Sequence, residues 1–127
     1  MNGGRLEVNL AGIPLHVPII AASGTFGFGQ EYARFGNLND WGGFVSKGLT
    51  LHPTKGNPTP RVTETPSGML NSIGLQNPGI QGFLHDAPGI VAQGLPVIAN
   101  ISGHTVEEYG ELAAALNGSG IAGIEVN

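Results

Sequence analysis

The sequence predicts an α/β domain built on a parallel sheet. Four continuous apolar runs, at residues 18–22, 43–46, 95–100 and 121–126, read as strands, the first of them with the composition of a strand buried on both faces. Helical segments fall between them, and that alternation argues a parallel sheet. Each run also ends in polar or small residues: Ser23, Lys47, Asn100 and Asn127. In parallel α/β folds the carboxyl ends of the strands share one rim, where ligands bind. The spacing therefore predicts that four strand ends converge on one site.

The elements follow in order. Residues 6–9 and 13–17 alternate apolar and polar about Ala11 and Gly12, the pattern of a short hairpin. The strand at 18–22 runs into a Gly-rich turn at 23–29, and residues 30–35 read as a short helix. A second strand at 43–46 ends at Lys47 and Gly48. Asn77 followed by Pro78 reads as an N-cap with proline at the first helical position. The helix runs through Phe83 and Leu84, Pro88-Gly89 is expected to break it, and residues 90–92 add a further turn. The third strand, 95–100, precedes the clearest helix signal. There Thr105 and Glu108 form a capping box, and Val106, Tyr109, Leu112, Ala113 and Leu116 share one face. Asn117-Gly118 stops this helix, and the fourth strand follows.

Between the second strand and the Asn77 cap lies a long irregular stretch, most distinctive from Asn57 to Gly79. It is too polar and too broken by proline for a core helix. Long loops inside a compact domain are usually functional or disordered. Met69, Leu70, Ile73 and Leu75 supply apolar anchors, which argues against disorder. Asn71, Ser72, Gln76 and Asn77 alternate with them, as if to hold amides over a flat polar ligand. A packed surface loop with ordinary turn chemistry is the other reading of the same residues.

Composition excludes several classes. Charged residues make up 11% of the chain, against about 25% in typical soluble domains, and glycine stands at 22 residues. A net charge of −4 with five Lys and Arg gives no footprint for nucleic acid. There are no cysteines, so disulfides, thiolate metal sites and a cysteine nucleophile are excluded within these residues. No apolar run approaches the ~18 residues of a membrane span, and the start lacks a signal-peptide core, so a cytoplasmic protein is expected. The histidines, His16, His52, His85 and His104, have no metal-ligand spacing, and no metal is assigned. Gly27-Phe28-Gly29 begins a dinucleotide fingerprint, but Tyr32 stands where the third glycine belongs. Lys47 sits where little water is expected, and a buried lysine needs a partner.

Three segments coincide in one resemblance. They are Ile-Ile-Ala-Ala-Ser-Gly-Thr-Phe-Gly-Phe-Gly-Gln-Glu from Ile19, Val-Ser-Lys-Gly-Leu-Thr from Val45, and the stretch from Asn57 to Gly79 ending Gly-Met-Leu-Asn-Ser-Ile-Gly-Leu-Gln-Asn-Pro-Gly. Together they resemble the start of dihydroorotate dehydrogenases, most closely the catalytic subunit of the class 1B, NAD-linked type. The resemblance covers essentially the whole chain.

It implies the amino-terminal half of a (β/α)8 TIM barrel, preceded by a short β-hairpin: one partial domain over residues 1–127, with a long active-site loop at 51–78. It implies FMN as cofactor and oxidation of dihydroorotate to orotate in pyrimidine synthesis. By similarity, Ala22, Ser23, Gly24, Lys47, Gly48, Asn100 and Asn127 lie against FMN. Lys47, Asn71, Ser72, Ile73, Gly74, Leu75 and Asn127 hold the substrate, with Lys47 as the catalytic cation. The family's base, a cysteine, is expected beyond Asn127. The chain is accordingly expected to be an amino-terminal fragment, inactive and prone to self-association on its own. The implied partners are an iron–sulfur and FAD electron-transfer subunit and a second copy of the full-length chain. Dihydropyrimidine dehydrogenases share parts of the pattern. A non-catalytic α/β half-barrel that binds a ligand or partner is the reading from another class.

Overall fold

The computed structural model describes residues 6–127. The chain opens with an antiparallel hairpin of β1 (Val8–Leu10) and β2 (Ile13–Leu15). Its turn residues Ala11 and Gly12 both take positive φ, the backbone of a tight type I′ turn. The short strand β3 (Ile20–Ala21) is followed by single 3-10 turns at Gln30–Tyr32 and Leu38–Asp40, and then by β4 (Gly43–Val45). A second hairpin pairs β5 (Val62–Thr65) with β6 (Gly68–Asn71). The chain continues through α1 (Gly79–Val91), β7 (Val97–Ile101), α2 (Val106–Leu116) and β8 (Gly123–Val126).

The four apolar runs form one sheet in the order β3-β4-β7-β8, and every pairing in it is parallel. The α/β class with a parallel sheet is therefore present. Phe44, Val97, Ala99 and Ile101 of the inner strands pack with Leu49 against one face of α1. That face carries Ile80, Phe83, Ala87 and Ile90, spaced as one helical stripe. Leu112 and Leu116 of α2 complete the core. Each of these side chains larger than alanine contributes roughly 1.5–3 kcal/mol by leaving water.

Several expectations need correction. The first apolar run is not buried on both faces: only Ile20 and Ala21 form β3, Ile19 just before it is 55% exposed, and β3 lies at the edge of the sheet. The short helix expected at 30–35 shrinks to three 3-10 residues. Pro88 does not break α1. It sits near the carboxyl end, where it forfeits one hydrogen bond, while Ala87 and Ile90 on either side are locked into the core. Val106, assigned to the core face of α2, is 83% exposed, since it lies in the first turn beyond the reach of β7. The capping box also closes differently. Thr105 Oγ1 accepts from Glu108 N at 3.2 Å, but the Glu108 carboxylate takes the N–H of His104, at 2.7 Å. Glu107, beside it, is held below the usual carboxylate range by its own backbone N–H and the Thr105 hydroxyl.

The largest correction concerns the loop at 51–78. It contains the β5–β6 hairpin, and the presumed anchors Met69 and Leu70 are each 63% exposed. The β-branched run Val62-Thr63-Glu64-Thr65 and the Pro66-Ser67 turn were the available signal for a hairpin.

Candidate functional site

The carboxyl ends of β3, β4, β7 and β8 open onto one cleft of about 390 Å³. Ser23, Gly24, Thr25, Lys47, Gly48, Asn100 and Asn127 come from the strand ends and the turn after β3, while Asn71, Ile73, Gly74 and Leu75 close it from above. Residues far apart in the chain thus share one wall, because parallel pairing stacks the strand ends on one side of the sheet. Small-ligand sites usually fall between about 300 and 1,000 Å³.

Each strand end is tied to the next. Ser23 Oγ donates to the Ser46 carbonyl at 2.9 Å, joining β3 to β4. Ser46 Oγ accepts from Asn100 N at 3.2 Å, joining β4 to β7. Asn100 is buried, and its Nδ2 donates to Glu125 Oε1 at 2.5 Å, joining β7 to β8. The Tyr109 hydroxyl of α2 holds the Asn127 carbonyl. Gly48 permits the close approach of these parts. A Cβ there would stand 3.0 Å from Asn100 Oδ1 and 3.2 Å from a Leu75 methyl, so a side chain would fill the cleft floor.

Residues 72–77 are fixed from behind. Asn57 N donates to the Ile73 carbonyl at 3.0 Å, and Asn57 Nδ2 donates to the Ser72 carbonyl and hydroxyl at 3.0 and 2.8 Å. Arg61 donates to Gln76 Oε1 at 2.5 Å. Asn77, buried, bonds on all sides. Its Oδ1 accepts from Gly79 N at 2.8 Å and Thr50 N at 3.2 Å, and its Nδ2 donates to the Leu75 carbonyl at 2.7 Å and Thr50 Oγ1 at 3.0 Å. The expected cap shifts by one residue: Pro78 is the N-cap of α1 rather than its first residue, and Asn77, one position earlier, accepts from Gly79 N. The same amide ties residues 75–77 to the segment following Lys47.

Not every residue assigned from sequence reaches the cleft. Ala22 and Ser72 do not line it. Ala22 instead accepts from Thr25 Oγ1 at 2.7 Å, and Ser72 faces Asn57. Lys47 is half-buried at the cleft wall, and no ion pair holds it among the described residues. It also borders a second depression, shared with Lys55 and Gln76, so it is not the fully buried lysine that would need a partner. Thr25, Ser46 and Glu125 were not singled out from sequence; none sits in a motif whose spacing marks it. A larger concavity of about 710 Å³ lies at the other end of β7, between the first hairpin and Gly94 and Pro96, away from the strand ends that carry the polar side chains. Among the described residues there is no cluster of metal-ligating side chains and no helix long and apolar enough to cross a membrane.

A parallel α/β sheet with its cleft at the carboxyl rim defines a class of proteins that build ligand sites from strand ends. Within that class, the family model for dihydroorotate dehydrogenase matches residues 5–127. The chain is 54% identical over 124 residues to the protein of Citrifermentans bemidjiense called "Dihydroorotate dehydrogenase B (NAD(+)), catalytic subunit". Proteins of the same name from Maridesulfovibrio salexigens and Thermoanaerobacter pseudethanolicus are 51% and 50% identical. The alignments cover 96–97% of this chain and 41% of each relative's length. The chain belongs to the dihydroorotate dehydrogenase family, and it spans about two-fifths of the length of the curated relatives it matches.

Proposed function

We propose that the cleft is the amino-terminal part of an FMN and dihydroorotate site, in a catalytic subunit that oxidises dihydroorotate to orotate for pyrimidine synthesis. The observation that carries this reading is the meeting of Lys47, Asn71, Asn100 and Asn127 on one cleft in a chain of this family. In this reading the four-stranded sheet is the first half of a (β/α)8 barrel, and the chain is one partial domain of it. The subunit works in the cytoplasm, pairs with a second copy, and passes electrons to NAD⁺ through an iron–sulfur and FAD subunit.

The residues present fit the group. The floor at Gly48 is bare backbone that a Cβ would obstruct, as a flat ring lying close to the chain requires. The walls offer amides, two hydroxyls and one cation, with Ile73 and Leu75 as apolar cover. Ser23, Gly24, Gly48 and Asn100 would hold FMN, with Ala22 supplying backbone beside them. FMN, when bound, supplies the hydride acceptor. Lys47 places a fixed positive charge at the cleft wall, which favours negative charge developing beside it. Asn71 and Asn127 can each donate and accept, which suits the carbonyl and N–H edges of a pyrimidine. The backbone of 72–75, held rigid by Asn57 and Asn77, orients the substrate together with Lys47. No residue in these 127 is assigned the role of base, and the reading places that cysteine outside them.

The test is the visible spectrum of the complete subunit carrying these residues. It should purify with bound flavin, and anaerobic dihydroorotate should bleach the flavin band. Lys47→Ala should slow the bleaching by about 10²-fold. A flavin-free protein, or flavin that stays oxidised, rejects the reading. Bleaching at an unchanged rate in Lys47→Ala removes Lys47 alone from the mechanism.

A further inference from the structure

Among the described residues, Glu125 is the carboxylate that bonds an asparagine of the cleft, although it does not line the cleft itself. It lies on β8 two positions before Asn127, which follows the strand's last residue and extends its ladder by donating its N–H to the Ile101 carbonyl, so both side chains leave the same face. In the sheet register Glu125 pairs with Asn100. Oε1 of Glu125 accepts from Asn100 Nδ2 at 2.5 Å, and Asn127 Nδ2 makes a long 3.5 Å contact to Asn100 Oδ1.

An asparagine amide can present either its oxygen or its nitrogen to a neighbour. An ionised carboxylate only accepts, so it admits one orientation of the amide facing it. With Asn100 Nδ2 turned to Glu125, Asn100 Oδ1 must face Gly48 and Asn127, and a Cβ built on Gly48 would stand 3.0 Å from that oxygen. Asn100 is 4% exposed, so little of its amide is open to water that could settle the choice instead. Its Oδ1 then draws the Asn127 nitrogen, which leaves Asn127 Oδ1 as the atom offered to a ligand.

We infer that Glu125 is a positioning residue that sets the donor–acceptor polarity of the Asn100–Asn127 pair, so that the cleft selects ring N–H groups. Given the dihydroorotate reading above, on which the choice of ligand rests, the N–H edge of the pyrimidine meets Asn127 Oδ1. Replacing the carboxylate by an amide of the same shape would let both asparagines turn over together and offer N–H groups instead.

The experiment compares the complete subunit with its Glu125→Gln variant. Flavin absorbance titrations give the affinity for orotate and for N-methylated orotate, in which the N–H is blocked. The wild type should prefer orotate, and Glu125→Gln, compared on its flavin-loaded fraction, should cut that preference about tenfold, the worth of one hydrogen bond. In 15N-edited NMR spectra the Asn100 side-chain proton facing the carboxylate should move upfield in the variant. An unchanged preference in a variant that still binds orotate overturns the inference. If the wild type binds no orotate, the flavoenzyme reading fails instead. The Asn100 resonance then decides alone, and an unmoved signal in Glu125→Gln shows that Glu125 does not orient it.

Discussion

Two neighbouring parts of the same Pro-rich stretch are held by different physics. Residues 72–77 are pinned by side-chain amides: Asn57 grips the Ser72 and Ile73 backbone, and buried Asn77 bonds Leu75, Gly79 and Thr50. Residues 62–71 are held by the ladder of the β5–β6 hairpin, with every residue of both strands exposed. The pinned part forms the cleft wall through Ile73, Gly74 and Leu75. The hairpin reaches the cleft only at its last residue, Asn71. A wall that must keep its shape is braced from behind, whereas the arm that carries it outward needs only its own backbone pairing.

The sharpest way to break this contrast is Asn77→Ala. It leaves the buried Thr50 and Gly79 N–H groups, and the part-buried Leu75 carbonyl, without their partner. The expected loss is about 3 kcal/mol in urea unfolding, since unpaired buried polar groups cost roughly 1–3 kcal/mol each and local relaxation recovers part of it. A loss no larger than that of an exposed substitution would mean the bracing is decorative.

Two glycines test the same contrast with one chemical change. Gly74 has φ of +74°, and a Cβ there would stand 2.8 Å from the backbone nitrogen of Asn57. Gly74→Ala should therefore cost about 2 kcal/mol and weaken ligand binding, because the wall must shift away from Asn57. Gly68, in the hairpin, has its nearest atom, Thr65 Oγ1, at 3.9 Å, so Gly68→Ala should stay within about 0.5 kcal/mol in the same urea unfolding. Equal effects at the two positions would erase the difference between the halves.

The smallest effect is expected from Met69→Ser and Leu70→Ser. Both side chains are mostly exposed, so each change should alter stability by no more than about 0.5 kcal/mol. Sedimentation should show less self-association, as two apolar side chains leave the surface. A loss of stability comparable to Asn77→Ala would show that the hairpin packs more tightly than its exposure indicates.

How much of this was legible in the sequence differs from element to element. The apolar runs marked the strands, and Thr105 marked the start of α2, because local composition and capping chemistry act over a few residues. The strand ends Ser23, Lys47, Asn100 and Asn127 could be named as sharing a rim before any coordinates, since parallel pairing leaves no other arrangement. The β5–β6 hairpin was missed because proline and polar residues outweighed a β-branched run. Pro88 was read as a break, although a proline in the last turns of a helix removes a single bond.

The chain by itself determined the alternation of strand and helix, the polar ends of the strands, and the family. Only tertiary structure decided which apolar runs became inner strands. Val97 and Val126 are equally apolar, yet one is buried and the other exposed, because position in a sheet depends on pairings between residues distant in sequence. Tertiary structure likewise decided the roles of Asn77 and Glu125. An amide or carboxylate acquires a fixed orientation only from the partners that folding brings to it.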